Sequence, residues 1–257
     1  MAKKVHKHQP NFHKHHRFFV DSPLTVGETI ALPKEIMQHA IWVLRLRKGA
    51  IITLFNGQGG EYLAHLTDIV KKTAYCSIDS YENKGHESSL SLILVQALSK
   101  AEHFDLTIQK AVELGVHKIV PVMTERSTQL NTEKADKREQ RWRKIIISAC
   151  EQCGRNQLPE LHPVISLAEW LEKSENGNRF VLSPTAKENL HTVFEKSEKM
   201  DAITLLVGAE GGLSDKEMEE ITAVGYQAIR LGSRILRTET AAITVLSICQ
   251  FLWGDLH

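Results

Sequence analysis

Two glycine-containing segments combine residue types that could bind a ligand. G-A-E-G-G (208–212) follows the apolar run L-L-V, and L-G-S-R-I-L-R-T-E-T-A (231–241) follows a segment typical of a strand. Glycines allow the backbone to turn tightly and approach a ligand, and the N–H groups at the start of a helix act as donors. Because ligands of open α/β sheets bind at the carboxyl ends of strands, we predict that both segments line one site.

Glu210 restricts the kind of ligand. A dinucleotide-binding loop has the pattern G-x-G-x-x-G and an acidic residue about 20 positions later. Here the carboxylate lies inside the glycine loop, where it would repel a pyrophosphate. The pattern therefore argues against dinucleotides and nucleoside triphosphates, and it is compatible with a cationic ligand.

The second segment also carries charged side chains. Arg234, Arg237 and Glu239 lie within six positions of one another, so they could act on a bound substrate. Each has a simpler interpretation as a surface residue. Thr238 could cap the final helix, and Glu239 could stabilise its first turn.

The first part of the chain has the pattern of a small β-barrel. Four segments are rich in β-branched and aromatic residues, and a glycine cluster at 56–60 predicts a turn between two of them. The predicted strands cover 17–20, 51–55, 62–70 and 73–81. The polar stretch 82–89 is the candidate linker to the rest of the chain.

After this linker, predicted strands alternate with predicted helices. The strands lie at 90–98, 118–122, near 161–165, and at 179–182, 203–207 and 227–231. The helices lie at 102–114, 134–153, 167–173, 214–224 and 239–253. This alternation predicts an α/β fold with a parallel sheet that helices cover on both faces.

Composition excludes several classes of protein. Lys and Arg (32) nearly balance Asp and Glu (31), so net charge does not indicate a polyanionic partner. Residues 1–20 carry five Lys or Arg, five His and no acid, which fits either a phosphate-contacting arm or a solvated terminus. No segment has the roughly 18 apolar residues of a membrane span, and the first 20 residues are too polar to predict the apolar region of a signal peptide. We therefore expect a cytoplasmic protein without a membrane partner.

The cysteines do not predict a metal site. Cys150 and Cys153 form a C-x-x-C, but the surrounding pattern is that of one helix face. A zinc site needs about four ligands, and the other two cysteines form no matching pair. We therefore expect neither a structural metal nor redox chemistry.

Taken together, the motifs resemble the RsmE family of 16S rRNA uridine N3-methyltransferases, which belongs to the SPOUT superfamily. The similarity covers nearly the whole chain. Besides the two glycine segments, it includes H-R-F-F-V (16–20), H-A-I-W-V-L-R-L-R-K-G (39–49), F-N-G-Q-G-G-E-Y (55–62), I-Q-K-A-V-E-L-G-V (108–116), T-E-R-S (124–127) and E-Q-C-G-R (151–155). One departure is Ala209, where the family commonly has proline.

The resemblance implies a particular fold and assembly. It implies an α/β domain with a SPOUT-type parallel sheet and a trefoil knot at its carboxyl end, which is an exception to the rule that chains avoid knots. It also implies an N-terminal PUA-like β-barrel and a homodimer. The expected divisions are a basic His-rich arm (1–16), an RNA-binding barrel (17–85) and the methyltransferase domain (90–257).

The resemblance further implies that S-adenosylmethionine is the cofactor and that the partner is 16S rRNA in the small ribosomal subunit. The product would carry a methyl group on N3 of one uridine in the decoding region. By position, the cofactor would contact Leu182, Pro184, Gly208, Glu210, Gly211, Gly212, Leu231, Gly232, Ile235, Leu236 and Thr240.

The expected reaction assigns roles to a few charged residues. Arg237 would stabilise the negative charge that grows on the uracil oxygens, with Arg17 as a second candidate. Glu239 could accept the N3 proton, although we favour its interpretation as a helix-terminal residue. The expected RNA contacts are Arg17, Arg45, Arg126 and Arg155.

Three alternatives remain open at this point. A SPOUT enzyme could act on another RNA, such as tRNA. The chain could also be a non-catalytic RNA-binding or ribosome-assembly factor. A nicotinamide oxidoreductase is disfavoured because G-x-G-x-x-G is missing.

Overall fold

The structure is a computed structural model, and it describes residues 15–173, 177–196 and 199–257. The basic arm predicted at 1–16 lies outside the described residues except for its last two positions. The chain divides into two compact units, one ending at Gly85 and the other beginning at His86.

The first unit contains a five-stranded sheet. Its strands are β1 (His16–Phe19), β2 (Thr29–Ala31), β3 (Ile51–Phe55), β4 (Glu61–Val70) and β5 (Thr73–Glu82). Their order in the sheet is β1-β3-β4-β5-β2. β1 runs parallel to β3, and the other neighbours are antiparallel. The four predicted strands are confirmed, whereas β2 was not predicted because three residues are too few to show a period.

A helical segment between β2 and β3 closes the core of this unit. It comprises α1 (Lys34–Met37) and a π-helix (Gln38–Val43) that follows directly. Ile36, Met37 and Ala40 are buried in the same hydrophobic cluster as the sheet residues. Sequence analysis predicted no helix here, because fewer than three helical turns leave a weak periodic signal.

The second unit is built on a parallel sheet. Its strands are β6 (Ser91–Ala97), β7 (Lys118–Met123), β8 (Glu160–Leu161), β9 (Ile165–Ser166), β10 (Asn178–Leu182), β11 (Glu188–Asn189), β12 (Ala202–Val207) and β13 (Gln227–Arg230). The order is β11-β13-β10-β12-β6-β7-β8, and β9 also pairs with β7. The single strand predicted near 161–165 is thus two short strands.

Helices cover both faces of this sheet. They are α2 (Ala101–Glu113), α3 (Thr132–Cys153), α4 (Leu167–Lys173), α5 (Leu190–Lys196), α6 (Asp215–Ala223) and α7 (Thr238–Trp253). Leu94 and Val95 point to opposite faces of β6, and both are fully buried. α7 packs against α2, β6 and β12. The predicted α/β class with a helix-covered parallel sheet is confirmed.

The order of the strands brings several connections to one edge of the sheet. After β10, the chain passes the end of β13 to reach β11. After β13, it passes back over the end of β10 and enters α7, which packs against β12. Both connections lie at the carboxyl ends of the strands. They meet there with the loop after β12, so three segments distant in sequence form one site.

No helix within the described parts of the chain is both long and apolar enough to cross a membrane.

Candidate functional site

A cavity of about 600 Å³ lies at the carboxyl edge of the parallel sheet. Three segments form most of its wall, namely 182–185, 207–213 and 229–239. His103 of α2 and Arg126 of the loop after β7 also line it, together with Asp215, Met218 and Ala241. The two glycine segments, which were predicted to share one site, both line this cavity.

Most of the residues predicted to hold the cofactor line this cavity. They are Leu182, Pro184, Gly208, Glu210, Gly211, Gly212, Leu231, Ile235 and Leu236. Gly232 and Thr240 are not among the lining residues. Gly232 is exposed and has a φ of +69°, so it serves the turn after β13, and Thr240 lies on the exposed side of α7.

The glycine loop after β12 is folded tightly on itself. The N–H of Gly212 donates to the carbonyl of Ala209 at 2.9 Å, and Gly212 has a φ of +70°, which favours glycine. A Cβ atom on Gly208 would lie 3.3 Å from the backbone carbon of Gly212. A side chain at either position would therefore disturb the loop that forms the cavity wall.

Thr238 connects this loop to α7. Its hydroxyl donates to the carbonyl of Gly208 at 2.6 Å and accepts from Nε2 of Gln96 at 3.0 Å. The N-cap position of α7 is Arg237, which makes no capping side-chain bond. The interpretation of Thr238 as a helix cap is therefore wrong. Sequence analysis missed Gln96, although a fully buried amide within an apolar strand is an unusual feature.

Replacing Thr238 with valine should weaken both stability and cofactor binding. Valine keeps the shape but removes the hydroxyl, so Gln96 and Gly208 each lose a partner in a buried setting, which costs about 1–3 kcal/mol. We expect a lower melting temperature and weaker binding of S-adenosylmethionine by calorimetry. Thr238→Ser keeps the hydroxyl and is the control. If valine and serine behaved alike, this hydrogen bond would not support the site.

Polar groups from two neighbouring segments hold the other end of the glycine loop. Nη1 of Arg126 donates to the carbonyls of Gly211 and Leu213 at 3.2 and 3.3 Å. Glu217 forms a capping box with Ser214 at the start of α6, as predicted, and also accepts from the N–H of Glu125 at 2.7 Å. Arg126 thus supports the cavity wall, and its RNA contact stays a prediction.

The carboxylate of Glu210 is already satisfied within the protein. It accepts from the backbone N–H of Lys100 and lies 3.1 Å from Nδ1 of His103. Partial burial alone would raise the pKa of Glu210. The hydrogen bonds from Lys100, from its own backbone N–H and from His103 outweigh this effect, so the pKa of Glu210 is lowered. Glu210 therefore stays ionised at neutral pH and makes this part of the cavity negative. Sequence analysis assigned no site role to His103.

Glu239 is the second carboxylate of the cavity wall. It is 7% exposed, and its Oε2 atom has no hydrogen-bond partner among the described residues. The distance from Oε2 to Nδ1 of His103 is 3.9 Å, which is too long for a hydrogen bond. Arg237, two positions earlier, lines the same cavity and is exposed. The structure thus places an arginine beside a carboxylate of which one buried oxygen has no hydrogen-bond partner among the described residues.

Arg155 is buried inside the second unit, and the RNA contact expected for it stays a prediction. Its side chain is buried, pairs with Glu87 at 2.6 Å and donates to the carbonyls of Val112 and Val116. A guanidinium held in this way stabilises the turn after α2. It does not line the cavity and cannot reach a phosphate without breaking these contacts.

Arg17 and Arg45 belong to the first unit. Nη1 of Arg17 lies 2.5 Å from a carboxylate oxygen of Glu61, and its guanidinium stacks over the ring of Phe55 at 5.1 Å. Only 8% of its side chain is exposed. Arg45 is exposed at the end of the helical segment. The catalytic role of Arg17 and the RNA contacts of both residues stay predictions.

Comparison with known proteins identifies the family. Residues 86–250 match the family model of an RNA methyltransferase domain, and residues 32–79 match that of an RNA methyltransferase PUA domain. The ribosomal RNA small subunit methyltransferase E of Buchnera aphidicola subsp. Schizaphis graminum is 36% identical over 93% of this chain and 97% of its own length. The chain belongs to the RsmE family.

Solved RsmE-like structures share the same fold. The ribosomal RNA small subunit methyltransferase E of Neisseria gonorrhoeae, bound to S-adenosylmethionine, is 40% identical, with a TM-score of 0.86 over 95% of this chain and 100% of that one. A Legionella pneumophila protein with the same bound cofactor is 37% identical, with a TM-score of 0.90 over 95% of this chain and 100% of that one. Membership of the RsmE family thus rests on sequence and structure alike.

Proposed function

We propose that this protein transfers the methyl group of S-adenosylmethionine to N3 of one uridine in 16S rRNA, within the decoding region of the small ribosomal subunit. The observation that carries the proposal is the cavity at the carboxyl edge, where the glycine loops meet Arg237 and Glu239 in a chain of the RsmE family. The named activity of the relatives supports the same reaction.

The residues of the cavity fit the cofactor. Its volume of about 600 Å³ lies within the usual range for cofactor pockets. Leu182, Leu231 and Leu236 offer an apolar surface for the adenine, and the glycine loop offers backbone groups. The ionised Glu210 favours a cationic ligand over a phosphate. When bound, S-adenosylmethionine supplies an electrophilic methyl group on its sulfonium.

The uracil must be unpaired and must lose its N3 proton to accept this methyl group. N3 carries a proton and lies on the Watson–Crick edge, so the base must be unpaired before it can enter. Arg237, which lines the cavity, would stabilise the negative charge on the uracil oxygens as the proton leaves. We assign proton acceptance to Glu239, because its buried Oε2 lacks a hydrogen-bond partner among the described residues. Sequence analysis had favoured its helix-terminal role.

The proposal includes the remaining family features. The two connections that pass in opposite directions at the carboxyl edge support a trefoil knot in the second unit. We further propose a homodimer that acts in the cytoplasm on ribosomal subunits, with no metal in the reaction.

The direct test is methyl transfer to small ribosomal subunits from a strain that lacks this modification. We expect transfer of radioactive methyl groups to 16S rRNA, and mass spectrometry of the digested RNA should identify 3-methyluridine. Transfer RNA is the matched alternative substrate. Methylation of tRNA alone, or binding of RNA without any transfer, would refute the proposed function.

A further inference from the structure

A histidine lies between carboxylates of the cavity wall. His103 is the only histidine among the described residues that line the cavity, and 24% of its side chain is exposed. It belongs to the first turn of α2, whereas the glycine loop and α7 lie far from it in sequence. The proposed reaction assigns no role to this imidazole.

The carboxylates approach His103 from three parts of the fold. Its Nδ1 atom lies 3.1 Å from Oε1 of Glu210 in the glycine loop and 3.9 Å from Oε2 of Glu239 in α7. Its Nε2 atom lies 3.6 Å from Oε1 of Glu102, the preceding residue of α2. One imidazole thus faces two carboxylates of the cavity wall and a third from its own helix.

The permanent cations of this region do not neutralise these carboxylates directly. Among the described residues, no arginine or lysine forms an ion pair with Glu210 or Glu239. Arg138 of α3 reaches the start of α2 by donating to the carbonyl of Ser99. The other charged residues of the cavity wall are Arg126, Asp215, Arg230, Arg234 and Arg237. His103 is therefore the group that can offset Glu210 and Glu239 at close range.

This offset depends on protonation of the imidazole. Histidine is the side chain whose charge ordinarily changes between about pH 5 and pH 8, while arginine stays charged throughout. At the acidic end of this range, the imidazolium of His103 offsets Glu210 and Glu239. At the alkaline end, the neutral ring leaves both carboxylates without this cation. The charge of this part of the wall therefore varies with pH through one residue.

Methyl transfer removes the positive charge that the cofactor brings into the cavity. The bond between sulfur and the methyl carbon breaks, its electron pair stays on sulfur, the carbon binds N3, and the N3 proton passes to Glu239. The sulfonium of S-adenosylmethionine thus becomes the neutral thioether of S-adenosylhomocysteine. A nearby carboxylate attracts the first compound more strongly than the second, and a nearby cation has the opposite effect.

We propose that His103 determines how strongly the cavity prefers S-adenosylmethionine to S-adenosylhomocysteine, and that protonation of its imidazole weakens this preference. The inference rests on the proposed function, because it takes S-adenosylmethionine as the methyl donor. With a neutral His103, Glu210 and Glu239 attract the sulfonium and favour exchange of the spent compound for a new donor. With a protonated His103, the spent compound competes better for the cavity.

The test measures the dissociation constants of both compounds by calorimetry at about pH 5.5 and about pH 7.5. In the wild type, the preference for S-adenosylmethionine should rise about two- to tenfold over this interval, which is the effect of a unit charge about 10 Å away at the edge of a protein. His103→Asn keeps a donor near the Nδ1 position without the charge, so its preference should be high at both ends. His103→Lys stays charged, so its preference should be low at both ends.

Two controls isolate the charge of His103. The amino group of each ligand titrates in the same way against every variant, so comparison between variants removes its contribution. His65 pairs with Asp79 at 2.8 Å in the first unit and does not line the cavity. His65→Asn should therefore keep the pH dependence of the wild type.

A second measurement detects the proton itself. Because linkage is reciprocal, S-adenosylmethionine should displace a fraction of a proton from His103 in the middle of this pH range, and S-adenosylhomocysteine should displace less. Calorimetry in two buffers of different ionisation enthalpy measures this release, which both His103 variants should lose. A merely structural role would change the affinity for both compounds by the same factor.

The possible outcomes separate this inference from the proposed function. An equal preference at both pH values in the wild type, an unchanged pH dependence in His103→Asn, or an equal loss of both ligands in the variants would overturn the inference. Wild-type protein that binds neither compound would refute the inference and the proposed function together. A pH-dependent preference without methyl transfer to small subunits would refute the proposed function alone.

Discussion

Arg237→Ala is expected to slow methyl transfer by about 100-fold or more, measured in a single turnover with both substrates saturating. The guanidinium lines the cavity and, in the proposed reaction, faces the uracil oxygens on which negative charge grows. Its removal should therefore affect the transition state more than the bound cofactor. Binding of S-adenosylmethionine by calorimetry should change only a few-fold.

Two further measurements make this prediction decisive. Arg237→Lys keeps a positive charge but loses the planar pair of donors, so it should fall between alanine and the wild type. A wild-type rate in Arg237→Ala would remove Arg237 from the reaction. A rate loss caused only by weaker cofactor binding would place it in the cofactor site instead.

Glu239→Gln is expected to reduce the single-turnover rate by about 100-fold or more, because a positioned base contributes this much to proton transfer. Glutamine has the same shape and cannot take up the N3 proton. RNA with 5-fluorouridine at the target position offers a specific readout, because its N3–H is more acidic. This substrate should recover part of the lost rate in the variant and change the wild-type rate less.

The alternative role of Glu239 predicts a different result. As a negative charge in the first turn of α7, it would contribute only about 0.3–1 kcal/mol to stability. Glu239→Gln would then melt earlier yet transfer methyl groups at the normal rate, which contradicts proton acceptance. Glu219→Gln, which removes an exposed carboxylate from α6, is the control for loss of charge.

Much of the fold could be predicted because it depends on local patterns. Apolar runs alternating with amphipathic segments indicated the parallel sheet, and Ser214 with Glu217 indicated the start of α6. The rule that ligands bind at the carboxyl ends of strands brought the two glycine segments together. The order of the strands was not predictable, because hydrophobic periodicity does not specify which strands become neighbours.

The supporting contacts of the site were also beyond sequence reasoning. The bonds from Gln96 to Thr238 and from Lys100 to Glu210 join residues more than 100 positions apart. Thr238 was misinterpreted because capping propensity is a local property, while its hydroxyl is used by a distant loop. The buried contacts of Arg155 were not predictable either, because a motif does not show whether an arginine faces a ligand or holds a turn.

The hydrogen bond between Thr238 and Gly208 has a consequence for biosynthesis. The glycine loop emerges from the ribosome before α7, and its partner for the Gly208 carbonyl lies in the first turn of that helix. Since domains fold as units during synthesis, the nascent chain cannot complete its cavity until α7 has been translated and packed. A growing polypeptide therefore lacks this support for its glycine loop until the last helix has left the ribosome.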